Sequence, residues 1–240
     1  MRGAAVCGRF SLIANPDELA EHFRIDFEPD LEFTSKWEPR FNIAPSQPVT
    51  TVYVPGPSTQ RALVQRRWGL IPSWAKDPKI GNRQINARSE TLAEKPAFRQ
   101  ALGQRRCLIP ADGFYEWSGP AGSKQPYHIA LENHAIFGFA GLWECWRNAE
   151  GLEVQSCTVI TAGANSLLGK LHSRMPVILD PQQYGAWLDP SPRTSAELLA
   201  LLRSHRSDAL RYHPVSYRVN NVACDDSACL EPVEVQPTLL

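Results

Sequence analysis

What the sequence lacks narrows the field first. It has no net charge, because 25 Lys and Arg balance 25 Asp and Glu over 240 residues. The overall positive excess that would by itself mark a nucleic-acid binder is therefore missing. No apolar run approaches the ~18 residues of a membrane span. No apolar stretch of a secretory or lipoprotein leader precedes residue 7. The six cysteines (7, 107, 145, 157, 224 and 229) are scattered, so they form no disulfide framework in a chain of this length. Cys224 and Cys229 lie five apart, but no second Cys or His pair completes a zinc pattern. There is no internal repeat and no convincing linker. The expectation is a cytoplasmic, reduced, monomeric protein, nucleoid- or replication-fork-associated if bacterial, with no membrane, metal or cofactor.

Twenty prolines and fifteen glycines divide the chain into short runs rich in β-branched and aromatic residues. "CGRFSLI", "VTTVYV", "RALVQRRW", "RRCLIPA", "YHIAL", "AIFGFAGLW", "VQSCTVIT" and "PVIL" read as strands between turn signals. Three helix starts are well marked. Asn15 and Pro16 open one, Asp180 and Pro181 a second, and Thr194 with Glu197 forms a capping box for a third. The predicted fold is α+β, a single domain with a barrel-like antiparallel or mixed β-sheet core and a few flanking helices. It spans 7–222. Residues 1–6 form an extension and 223–240 a C-terminal tail, its last ten or so exposed. Charge is unevenly spread. Residues 61–106 hold eleven Lys and Arg against three acids, and 222–240 hold four acids and no base. This predicts a basic face for a polyanion, or a surface whose charges interleave once folded.

Polar residues recur inside apolar or Gly/Pro-rich surroundings in five stretches: "CGRF" (7–10), "WGLIPSW" (68–74), "INARSET" (85–91), "ADGFYEW" (111–117) and "LHSRMPVIL" (171–179). "FNIAPSQPV" (41–49) and "HPVSYRVNNV" (213–222) join them. In this order and spacing they resemble the SOS response-associated peptidase (SRAP) family of abasic-site processing proteins, from Cys7 to about Val222. The resemblance implies a covalent function. An N-terminal cysteine attacks the ring-opened aldehyde of an abasic site in single-stranded DNA and closes a thiazolidine, protecting the lesion during replication. It also implies peptidase and lyase labels. The chemistry stands apart from the family. A lone amine and an aldehyde give a hydrolysable imine, and a thiol two carbons away traps it in a five-membered ring at high effective molarity. That requires a free α-amine at Cys7. Residues 1–6 are therefore expected to be absent, either through a translation start at Val6 followed by Met removal or through cleavage.

Roles follow residue by residue. Glu116 lies among aromatics that would raise its pKa toward neutrality for acid–base work, or it is a strand carboxylate facing water. By resemblance it moves protons for ring opening and imine formation. His172 precedes an apolar strand, and by resemblance it polarises the sugar ring oxygen; alone, it reads as structural. Asn86 and Arg88 share a face if their run is extended. Asn86 would orient the Cys7 amine or the lesion. Arg88 and Arg9 would each grip a phosphate, or form surface ion pairs. Trp74 and Trp117 are candidates for stacking on bases beside the lesion. Pro45 and Thr161 are expected to shape the pocket. Trp143, Trp187, Cys107, Cys145 and Cys157 are expected in the core. Two rivals remain open at this level. One is a cysteine peptidase using Cys7, His172 and Asn86. The other is a non-covalent single-stranded DNA binder.

Overall fold

A computed structural model describes residues 7–25, 36–56, 60–203 and 209–234. In chain order the elements are β1 (Phe10–Leu12), α1 (Pro16–Phe23), β2 (Arg40–Ile43), β3 (Pro48–Tyr53), β4 (Ala62–Trp68), β5 (Asn86–Arg88) and α2 (Arg99–Gln104). There follow β6 (Arg106–Ala111), β7 (Gly113–Ser118), β8 (Gln125–Leu131), β9 (Phe137–Arg147), β10 (Glu153–Gly163), β11 (Arg174–Pro176) and β12 (Ile178–Leu179). α3 (Tyr184–Leu188), α4 (Ser195–Leu201) and β13 (Leu210–Pro214) complete them.

Five strands close on themselves. β4 pairs antiparallel with β3, β3 with β6, β6 with β9 and β9 with β10. The ring closes where β10 runs parallel to β4, with Ser156 opposite Arg67 and Cys157 opposite Trp68. The result is a mixed barrel of the expected class, whose closure leaves those strands no free edges. Gly141 allows close packing where β9 is flanked by β6 and β10. A Cβ there would meet Cys107 Sγ at 3.0 Å and the Thr158 carbonyl at 3.1 Å. A second sheet, ordered β13-β8-β7-β1-β2, lies against the barrel. Phe10 meets Trp68 edge-on at 5.1 Å and Phe139 at 5.9 Å, and Phe114 meets Phe139 at 5.9 Å. Each buried Phe at this seam contributes roughly 1.5–3 kcal/mol.

The helices form where the capping chemistry lies. Asn15 Oδ1 accepts from the Asp17 and Glu18 amides at 3.0 Å, and Glu18 Oε2 accepts from the Asn15 amide at 2.7 Å. Leu19 and Phe23 of α1 are buried, and Phe23 stacks on Tyr184 of α3. Thr194 and Glu197 cap α4 reciprocally, as the sequence predicts. The start at Asp180 differs: Asp180 caps a 3₁₀ turn, Pro181–Gln183, and α3 begins only at Tyr184.

Three expectations need correcting. Part of the basic segment faces inward. Arg66 is buried between the Tyr53 and Trp143 rings, and Arg106 gives its guanidinium to the carbonyls of Leu102, Gly103, Trp187 and Asp189. Cys107, Cys157 and Trp187 are fully buried, but Cys145 and Trp143 are only half-buried. Residues 223–234 do not trail from the domain. Asp225 accepts from the amides of Phe41 and Asn42 and pairs with Arg40, Cys229 is buried, and the Val233 amide donates to the Pro214 carbonyl. Residues 235–240, the end of the expected tail, lie outside the described residues, as does the extension 1–6.

Candidate active site at the edge of the two sheets

β1 brings the first motif to β7. The Tyr115 amide donates to the Arg9 carbonyl at 3.0 Å, and Phe10 is paired with Phe114. That register sets the backbone nitrogen of Cys7 2.7 Å from Glu116 Oε1, to which it donates. Cys7 is fully buried with φ of +42°, and Glu116 is 4% exposed. Burial pushes the Glu116 carboxyl up to about 7, against the pull of the Cys7 and Trp117 amides and the Lys124 charge. Burial, reinforced by Glu116, holds the Cys7 thiol well above its ordinary range. The pair thus combines a carboxyl near half-protonation at neutral pH with the backbone amide nitrogen of Cys7 in hydrogen-bond contact.

Arg9, expected to grip a phosphate, spends Nη1 within the chain, on Asn42 Oδ1 at 2.7 Å and the Val219 carbonyl at 2.6 Å. Its guanidinium lies 5.8 Å from the centre of the Trp117 ring. Trp117, half-buried, donates its indole N–H to Asn220 Oδ1 at 2.7 Å. Asn42 Nδ2 donates to the carbonyls of Val219, Asn221 and Cys224. The C-terminal segment is therefore bolted to the strands that carry Cys7 and Glu116.

A second constellation forms along β10. β5 runs parallel to it, with Asn86 opposite Val159 and Arg88 opposite Thr161. The run is extended: Ala87 is buried between half-buried Asn86 and exposed Arg88, as alternation requires. On the other side of β10, Thr161 faces Pro176 of β11. Arg174 joins the two flanks by a bidentate bond to Glu90 (3.1 and 3.0 Å) and a bond to the Thr161 carbonyl at 2.7 Å. His172 Nδ1 accepts from the Arg174 amide at 3.1 Å. A neutral His172 thus carries its proton on Nε2. Trp68 connects the two constellations. Its ring packs on Phe10, three residues from Cys7, and its N–H donates to the Ile85 carbonyl, next to Asn86, at 2.9 Å.

Trp74 lies in a turn outside the strands of both constellations. It is 57% exposed on an excursion between Gly69 and Gln84, lining a cleft of about 430 Å³ with Lys76, Lys79 and Arg83. The excursion is pinned where Gly69 and Gly81 approach. A Cβ on Gly81 would meet the Gly69 carbonyl oxygen at 2.6 Å. Sequence reasoning missed Asn42, Glu90, Arg174, Asn220 and Asp225 as site-building residues. All but Asp225 lie inside the motifs already noted. Among the described residues, no three His, Cys, Asp or Glu side chains cluster as a metal site, and no helix is long and apolar enough to cross a membrane.

Comparison with known proteins gives one consistent answer. The family model "SOS response associated peptidase (SRAP)" matches residues 6–222. "Abasic site processing protein YoqW" of Bacillus subtilis (strain 168) is 44% identical over 218 residues, covering 90% of this chain and 95% of the relative. "Abasic site processing protein HMCES" of Rattus norvegicus is 35% identical over 209 residues, covering 74% of this chain and 59% of the relative. Among solved structures, a protein from Bacteroides thetaiotaomicron superposes with a TM-score of 0.83 at 24% identity, covering 95% of this chain and all of that one. A phage-related protein from Bordetella bronchiseptica gives 0.68 at 30% identity, covering 87% of this chain and 94% of that one.

Proposed function

The chain belongs to the SOS response associated peptidase family, and on that premise we propose that it captures abasic sites in single-stranded DNA covalently through Cys7. The observation that carries this reading is the contact of the Cys7 nitrogen with Glu116 at 2.7 Å. A raised carboxyl beside that nitrogen serves each proton transfer. As carboxylate, Glu116 takes a proton from the Cys7 ammonium, freeing the amine to add to C1′ of the ring-opened sugar. As acid, it protonates the carbinolamine hydroxyl, which leaves as water and gives the protonated imine. The Cys7 thiol then adds to the imine carbon. Its proton passes to Glu116, the C=N electron pair returns to the nitrogen, and a neutral thiazolidine results. His172 presents Nε2–H as a donor for the ring oxygen during opening. Asn86 and Arg88, on one face of β5, are suited to orienting the lesion and a flanking phosphate.

The high pKa of the Cys7 thiol disfavours the cysteine-peptidase reading, which needs a ready thiolate. In thiazolidine closure Glu116 would take the thiol proton as the C–S bond forms, and the high effective molarity of the neighbouring thiol offsets its low ionisation. Hydrolysis of the Val6–Cys7 bond would free the required amine and give the peptidase label a substrate. β-Elimination from the imine would account for a lyase label.

The test is a denaturing gel after incubation with single-stranded DNA carrying one abasic site. Chain beginning at Cys7 should form a stable adduct. Cys7→Ala should form only an imine that borohydride traps, and chain retaining residues 1–6 should form neither. A stable adduct from Cys7→Ala would falsify the thiazolidine.

A further inference from the structure

Beside the Trp117–Asn220 bond the surface carries aromatic area that the capture of the lesion does not use. Residues Tyr217–Asn220 form a single 3₁₀ turn. Ser216 Oγ accepts from the Arg218 amide at its start, at 3.2 Å. Val219 is buried, and its carbonyl receives both Arg9 and Asn42. Asn220 closes the turn by accepting the Trp117 indole N–H. Side chains three apart eclipse in a 3₁₀ turn. Tyr217 therefore projects on the side of Asn220, the residue that meets Trp117. The turn is anchored on three counts, yet Tyr217 is 53% exposed and Val222, just beyond it, 49% exposed. Cations border this rim: Arg9 lies over Trp117, and the Lys124 charge acts on Glu116 from the β7–β8 hairpin. An exposed Tyr217 beside half-buried Trp117, with the Arg9 guanidinium over the latter, has the composition of a single-stranded nucleic-acid groove.

We propose that Tyr217 is a stacking platform for a base on one side of the lesion, continuing the line from Cys7 and Glu116 past Trp117. The other side of the lesion would fall to the Arg88 and His172 constellation. This makes the footprint asymmetric, with Tyr217 reading bases in one strand direction only. The inference rests on the covalent-capture reading for its placement, but not for its test.

Two measurements decide it. The first compares crosslinking rates on two abasic oligonucleotides, one extended only 5′ of the lesion and one only 3′. Tyr217→Ser should slow one substrate about tenfold, within the range of base–aromatic stacking, and leave the other unchanged. Tyr217→Phe should match the parent on both. The second measures affinity for an undamaged single strand, where no chemistry occurs. Tyr217→Ser should weaken it about tenfold and Tyr217→Phe should not. Unchanged affinity, or equal loss on both substrates, overturns the proposal. If the parent forms no adduct with any abasic strand, covalent capture fails, and the second measurement still decides the role of Tyr217. Thermal midpoints of both variants should equal the parent's, since the side chain is exposed.

Discussion

Glu116→Gln separates the proton from the shape at the centre of the site. The carboxyl is held at about 7 against an ordinary 4.5. At about 1.4 kcal/mol per unit, its ionised form costs the fold on the order of 3 kcal/mol. The folded chain binds this proton more tightly than the unfolded chain. The stability it contributes is therefore whole below 4.5 and lost as pH rises through about 7. Glutamine keeps the volume and an acceptor for the Cys7 N–H but has nothing to ionise. The variant should thus gain on the parent as pH rises, and at pH 8 it should melt at or a few degrees above it. Its crosslinking should slow by roughly 10²–10⁴, the usual worth of a general acid–base group, and the rate profile should lose its limb near neutrality. In chain beginning at Cys7 the donor is an ammonium, so the two titrations belong to the pair and the limb is displaced accordingly. The assays are adduct formation on an abasic oligonucleotide from about pH 5 to about pH 9 and thermal melts over the same range. A variant that crosslinks at the parental rate and melts far lower would make Glu116 a structural residue and remove the proton-transfer scheme.

Two further outcomes are expected. Binding to undamaged single strands should weaken with salt, log K falling by about 0.7 per decade for each phosphate contact, and Arg88→Ala should flatten the slope by about one such contact; an unchanged slope takes Arg88 out of that role. Gly81→Ala drives a Cβ to within 2.6 Å of the Gly69 carbonyl oxygen, so the excursion bearing Trp74 must shift. A loss of roughly 1–3 kcal/mol in stability, read by denaturant melts, should accompany weaker strand binding. Retention of both would mean that the close approach does not position Trp74.

Local chemistry made much of this molecule readable in its sequence. Asn15 and Glu18, or Thr194 and Glu197, announce a helix because both partners of the capping box lie within one turn. The strands of the barrel are bounded by prolines and glycines, and "INAR" places Asn86 and Arg88 on one face through alternation alone. What escaped are bonds between distant segments. The parallel pairing of β4 with β10 leaves no mark in either strand. Arg174 is satisfied by Glu90, 84 positions earlier, and neither residue looks unusual where it stands. Asp225 read as one acid in an acidic tail because the amides it serves belong to residues 41 and 42. The inward turn of Arg66 and Arg106 was equally hidden, since a count of charges carries no direction. Cys7 with Glu116 was legible only as two motifs; the 2.7 Å contact needed the register of β1 on β7.

The bolting of the C-terminal segment to the first strand sets an order of events. The bond of Arg9 to Val219 spans 210 positions, and that of Asn42 to Cys224 spans 182. Contacts of such sequence separation form late, since their loops must close before they stabilise anything. On the ribosome the first strand emerges long before the residues that hold it. On the capture reading Cys7 is a 1,2-aminothiol, reactive toward any aldehyde it meets; Glu116 follows by mid-chain, but the bonds that fasten the segment around Arg9 and Asn42 come only with a nearly complete chain. On that reading topology acts as a timer, leaving the surroundings of Cys7 unfastened until the rest of the chain has been made.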